Sequence, residues 1–263
     1  MAHHRRMRLY CFAHAGAGTS SFHGWDGILG PDVEVVPLAL PGRGERSGEP
    51  RITDREALLA DLSKRFTDAP PGPFALYGHS LGAMIAHTVT CALHEAGLPG
   101  PSLLAVGACP PPATRTPLSG AHHATDAELV RLLGVMGAVP EGARPGGFWY
   151  RTALPVLRDD LALADSLRAA ARRPLAPGPL PVPLLVVTGE DDPMVGPDAA
   201  AGWDRWTAGP VTRRTLPGDH YFAGRQELPR LLADACRAVG HAAAREGTPH
   251  CCSVPALAAT DKV

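Results

Sequence analysis

No uninterrupted apolar run reaches about 18 residues, the length a bilayer-spanning helix requires, so a transmembrane helix is excluded. A surplus of either charge is also missing, with 26 acidic residues against 25 basic ones. That balance argues against a nucleic-acid or other polyanionic partner. There is no Cys-x-x-Cys pair. The six cysteines (Cys11, Cys91, Cys109, Cys236, Cys251 and Cys252) are spread through apolar segments, which fits reduced, buried thiols and excludes a disulfide framework or a zinc site. The basic start, Met1 to His14, has an apolar stretch too short for a signal peptide, and the expected location is the cytoplasm. What the chain does have is 45% hydrophobic and 19% charged residues over 263 positions, enough for one large domain with a substantial core.

Short apolar runs bounded by glycine or proline recur at Leu9–Phe12, Val33–Leu40, Phe74–Tyr77, Leu103–Val106 and Leu184–Val187. Their continuity predicts strands buried on both faces, as in a parallel sheet. Helical patterns lie between them. Thr53 to Phe66 opens with the capping-box spacing Thr53-x-x-Glu56, and Leu81 to Ala96 stops at Gly97. The alternation predicts a doubly wound, mostly parallel α/β fold over residues 1–240. From about Pro110 to Pro181 the rhythm breaks, with two helical patterns and no strand. One follows the capping box Thr125-x-x-Glu128; the other spans Leu154 to Ala171. The segment reads as a helical insertion. After it come Trp203–Trp206, a strand at Val211 to Leu216 and a last helix from Gln226 to Val239; residues 241–263 are expected to form a mobile tail.

Gly78-His79-Ser80-Leu81-Gly82 matches G-x-S-x-G and lies between a predicted strand and a predicted helix. In that setting the serine occupies a tight turn with its hydroxyl above the sheet edge and a helix N-terminus beside it, an arrangement suited to a nucleophile. An ordinary glycine turn is the alternative. A serine hydroxyl needs a base, and the base needs an acid to orient it, in the chain order serine, acid, histidine for this architecture. Glu190-Asp191-Asp192 follows the strand ending at Val187, and Asp192 is the chosen acid, with Asp191 and Glu190 as competitors. His220, in the loop before the final helix, is the candidate base. Two backbone donors must stabilise the oxyanion. Leu81 N–H is one. The other falls in the small-residue loop Phe12-Ala13-His14-Ala15-Gly16-Ala17-Gly18, at Ala15 first and Gly16 second. That loop has neither P-loop nor dinucleotide-binding spacing.

These residues sit in strings that resemble the type II thioesterases accompanying nonribosomal peptide and polyketide synthases. The strings are Phe12-Ala13-His14-Ala15-Gly16, Leu40-Pro41-Gly42-Arg43-Gly44-Glu45-Arg46, Gly78 to Gly82, Leu154 to Asp160, Gly189-x-x-Asp192-x-x-Val195 and Gly218 to Phe222. The family usually has proline where Ala13 stands. The resemblance implies an α/β-hydrolase fold, with Asp192 as the acid and no cofactor. It also implies acyl thioesters as substrates, carried on the phosphopantetheine arm of acyl or peptidyl carrier proteins. The chain is expected to be a monomer. The residues by themselves imply acyl transfer to water through an acyl-enzyme on Ser80. A small-molecule esterase or lipase, and a non-catalytic carrier-binding module, are the rival readings.

The insertion at about 110–181 is expected to act as a lid, with Leu129, Leu132, Leu133, Met136, Leu161 and Leu167 either lining an acyl channel or packing on the main core. Phe148-Trp149-Tyr150 has the same two roles open to it. Arg43 and Arg46 either meet a phosphate of the carrier arm or find partners within the chain.

Overall fold

A computed structural model describes residues 6–67, 72–176 and 178–246. Six strands form one sheet: β1 (Met7–Phe12), β2 (Val33–Pro37), β3 (Phe74–His79), β4 (Leu103–Gly107), β5 (Leu184–Gly189) and β6 (Val211–Leu216). Their order is β2-β1-β3-β4-β5-β6, and every neighbouring pair is parallel. The chain leaves β1 for β2 on one side and returns to β3 on the other. That reversal opens a crevice above the carboxyl ends of β1 and β3, where doubly wound sheets hold their ligands.

The helices are α1 (Trp25–Leu29), α2 (Arg55–Thr67), α3 (Leu81–Glu95), α4 (Asp126–Val135), α5 (Phe148–Ala170), α6 (Pro197–Ala201) and α7 (Glu227–Glu246). Strand residues alternate between two cores. Tyr10, Phe12, Leu76, Leu104 and Val106 point to the side of α2, α3 and the end of α5. Leu9, Cys11, Tyr77, Ala105 and Val187 point to the side of α1 and α7. Two buried faces explain why the central strands read as unbroken apolar runs. β6 is a sheet edge and is exposed along Thr212 to Thr215, where Arg213 and Arg214 discourage further pairing. Cys11, Cys91, Cys109 and Cys236 are buried free thiols; Cys251 and Cys252 lie outside the described residues.

The predicted insertion contains α4 and α5 and a third core of Ala121, Leu129, Leu133, Leu154, Leu157 and Leu161. The Thr125–Glu128 capping box forms reciprocally. Four element ends differ from the sequence reading. β2 stops at Pro37, and Leu38 to Leu40 run on as buried loop. At α2 the cap is Asp54, whose Oδ1 accepts the Ala57 N–H at 2.8 Å, so the helix starts one residue later than a Thr53 cap requires. α5 begins at Phe148 and carries Pro155 inside it. A proline there signals a helix start, but Trp149 and Tyr150 pack on the third core and hold the extra turns. α7 continues to Glu246, so residues 241–246 belong to it; the remainder of the expected tail lies outside the described residues.

Candidate active site

Ser80 stands between β3 and α3 with φ 55° and ψ −114°, a left-handed backbone that a serine adopts at a cost of about 1–3 kcal/mol. Its flanking glycines explain how the turn closes. A methyl group on Gly78 would overlap the carbonyl of Gly82, and one on Gly82 would overlap the carbonyl of Phe12 at the end of β1. The strain is held by Ser80 N–H donating to Gly107 O at 2.8 Å.

Asp192 and His220 come from the ends of β5 and β6. His220 Nε2 lies 3.0 Å from Ser80 Oγ, and His220 Nδ1 lies 2.9 Å from Asp192 Oδ2. Both side chains are buried. Burial alone would raise the Asp192 pKa. The hydrogen bond and charge of His220, with the N–H groups of Met194 and Val195 on Oδ1, outweigh it and hold the carboxyl below its ordinary range. An ionised Asp192 accepts the Nδ1 proton, leaving Nε2 to accept from the serine hydroxyl. Glu190 and Asp191 are exposed, and their backbone N–H groups donate to Leu216 O and Gly218 O beneath the His220 loop. Of the three carboxylates, Asp192 is the one brought to the histidine.

His79 was not among the sequence candidates. It is buried, and its Nε2–H donates to the His220 carbonyl at 2.6 Å while Nδ1 accepts the Tyr77 hydroxyl at 2.9 Å. Burial, followed by the nearby His220, pushes its pKa down to about 3, so it acts as a neutral strut under the His220 backbone. The available signal was its place inside G-H-S-x-G, which the motif treats as variable. His14 lines the site and is lowered to about 4 by burial and by His220.

Ala15 and Leu81 border the same cavity as Ser80 and His220. Gly16 does not serve as the second candidate donor, because its N–H is bound to Asp160 Oδ2 at 2.7 Å. The two arginines of the Pro41–Arg46 string find carboxylate partners within the chain, although Arg43 Nε is buried without a hydrogen-bond partner among the described residues. Arg43 forks onto both oxygens of Asp160, and Arg46 bonds Asp61, Glu49 and the Ala39 carbonyl. Neither is left to meet a phosphate.

The cavity beside Ser80 has a volume of about 60 Å³ and apolar walls. Leu133, Met136 and Leu161 from the inserted segment reach it, while Leu129, Leu132 and Leu167 pack elsewhere. The Phe148-Trp149-Tyr150 cluster does not line it: Phe148 is 76% exposed and the other two brace the third core. Among the described residues no group of histidine, cysteine and carboxylate side chains is arranged to hold a metal ion.

Residues 7–238 match the family model described as "Thioesterase domain". The chain is 32% identical over 216 residues to a probable cadicidin biosynthesis thioesterase of Streptomyces griseus, a match covering 82% of this chain and 58% of that protein's length. Among solved structures, the RedJ thioesterase from the prodiginine pathway of Streptomyces coelicolor is 31% identical with TM-score 0.73, covering 88% of this chain and 86% of that one. BorB, a type II thioesterase from the borrelidin cluster, is 30% identical with TM-score 0.73, covering 90% and 96%.

Proposed function

The chain belongs to the thioesterase domain family, and from that premise we propose that it is a type II, editing thioesterase. It removes aberrant or stalled acyl groups from the phosphopantetheine arm of carrier proteins of a polyketide or nonribosomal peptide synthase. The observation that carries the reading is the Ser80–His220–Asp192 hydrogen-bonded chain opening onto an apolar cavity at the sheet's switch point. The likeness to BorB supports the type II assignment.

In this reading His220 Nε2 takes the Ser80 proton as Oγ attacks the thioester carbonyl, and Asp192 stabilises the imidazolium. The N–H groups of Ala15 and Leu81 receive the oxyanion, Leu81 with the positive end of α3 behind it. Collapse breaks the carbon–sulfur bond, and His220 protonates the departing thiolate. Water then attacks the acyl-enzyme with His220 again as base, releasing the acid and restoring Ser80. No metal or cofactor is required. The segment 110–181 is proposed to be the lid over the acyl group, and the acting unit to be a cytoplasmic monomer.

A serine-directed fluorophosphonate tests the reading against a non-catalytic carrier-binding module. Stoichiometric labelling that disappears in Ser80→Ala supports the enzyme; an unlabelled wild-type protein contradicts it. Oxygen esters matched to the thioesters test the esterase reading, which requires faster turnover of the free esters.

A further inference from the structure

Two segments singled out in the sequence, Pro41–Arg46 and Leu154–Asp160, meet at one buried ion pair. Asp160 on α5 is fully buried. Its Oδ1 accepts from Arg43 Nη2 at 2.5 Å, and its Oδ2 accepts from Arg43 Nη1 at 2.9 Å and from Gly16 N–H at 2.7 Å. Arg43 Nη1 also donates to Ala17 O at 3.1 Å. Residues 14–17 form a tight turn closed by Ala17 N–H on His14 O, with Gly16 at φ +79°. That φ is the conformation of the third residue of a type II turn, and the Gly16 N–H belongs to the turn's central peptide. Leu157, one turn earlier on α5, lies under Gly16 so closely that a methyl group there would sit 2.7 Å from its Cδ2.

We propose that Asp160, braced by Arg43, is a positioning residue for the oxyanion hole: its carboxylate pins the Gly16 N–H and so anchors the 14–17 turn, whose preceding peptide carries the Ala15 N–H toward the reacting carbonyl. A flipped central peptide would turn the Gly16 N–H away from Asp160 and leave a buried carboxylate short of a donor. The same helix lines the acyl cavity with Leu157, Leu161 and Ala164. Movement of α5 away from the sheet therefore withdraws Asp160 from Gly16 and dismantles the oxyanion hole, so full activity requires α5 to be seated. The inference rests on the proposed serine mechanism and names residues that do not themselves touch the substrate.

Removing Asp160 alone leaves a buried, unpaired Arg43, so the test uses two charge-free pairs. Arg43→Met/Asp160→Asn keeps an oxygen acceptor for Gly16; Arg43→Met/Asp160→Leu does not. The leucine pair is expected to lose about 10- to 100-fold in kcat with KM little changed, less than the ~10²–10³ that deleting a donor costs. The asparagine pair is expected to lose about tenfold less. The affinity of an alkyl boronate, which forms a tetrahedral serine adduct, should fall in step with kcat. That of a thioether analogue, which lacks the carbonyl, should hold. Equal kcat in the two pairs, or parallel loss of both ligands, overturns the proposal. Amide exchange on the unaltered protein with boronate bound keeps it testable if a pair fails to fold: Gly16 N–H should be protected to the same degree as the middle of α5, and free exchange overturns the proposal. Wild-type protein inert toward every thioester would sink the serine mechanism instead, whereas active wild type with equal variants sinks the positioning role alone.

Discussion

At the scale of single residues the reacting groups were legible because their chemistry forces an order and a setting. Ser80 had a strand before it, a helix after it and glycines on both sides. Asp191 and Glu190 compete with Asp192 in the sequence; the thioesterase resemblance points to Asp192 through Gly189-x-x-Asp192, and its burial beside His220 agrees with that choice. Ser80→Ala and His220→Ala are expected to abolish turnover. Asp192→Asn should lower kcat by about 10⁴-fold, because an amide in its place favours the wrong histidine tautomer. Asp191→Asn should stay near wild type, and loss of activity there with none in Asp192→Asn would assign the acid to the wrong carboxylate. His79 and Asp160 were not legible. Their partners lie far along the chain, with His79 separated from His220 by 141 residues and Gly16 from Asp160 by 144. No local pattern marks such pairs. The Arg43 and Arg46 guanidinium groups illustrate the same limit, since a sequence shows a charge and not the carboxylate that has already claimed it.

At the scale of elements, strands and capped helices were readable and helix boundaries were not. The capping box at Thr125 formed, whereas at α2 the adjacent Asp54 took the role expected of Thr53. Both residues have the right chemistry, and one position of helix phase decides between them. Asp54→Ala should cost about 1 kcal/mol in urea-unfolding free energy and Thr53→Ala close to none; the reverse ranking would restore the Thr53 cap. Pro155 hid the first two turns of α5, because the packing of Trp149 and Tyr150 that supports them is tertiary. Leu133 of α4 and Met136 just after its end wall the cavity beside Ser80. Met136→Ala removes side-chain volume at that wall. Its rate profile across acyl lengths should move toward longer chains, with the ratio of longest to shortest rising about tenfold or more, from the ~1–3 kcal/mol per methylene of such pockets. An unchanged profile would place the acyl group elsewhere.

For the whole molecule, one parallel sheet collects the site from four strand ends: β1 gives Ala15, β3 Ser80 and Leu81, β5 Asp192, and β6 His220. The fold class was readable because the apolar runs are continuous and alternate with helical patterns. The same double burial traps titratable groups. Burial lowers His79 to about 3 and His14 and His87 to about 4, against about 6.5 in an unfolded chain. Between about pH 6.5 and pH 4 the unfolded state binds three protons that the folded state refuses. Folding stability is therefore full above pH 6.5 and falls with acid at about 1.4 kcal/mol per pH unit for each histidine. Urea midpoints measured at pH 7 and 5 should show this fall, and His87→Leu should remove about a third of the slope; flat midpoints would mean that the three imidazoles are not kept neutral. No helix among the described residues is long and apolar enough to cross a membrane, which agrees with the absence of a long apolar run.

The central claim is that Ser80 is acylated by carrier-bound thioesters, and its most direct test is the release of acyl groups from carrier proteins. The protein should be given a panel of acyl-phosphopantetheinyl carriers, together with the same acyl groups as simple oxygen esters. The account predicts catalytic release of free acid from the carriers, loss of that release in Ser80→Ala, and slower turnover of the oxygen esters. Rapid hydrolysis of the oxygen esters with no release from any carrier would contradict it.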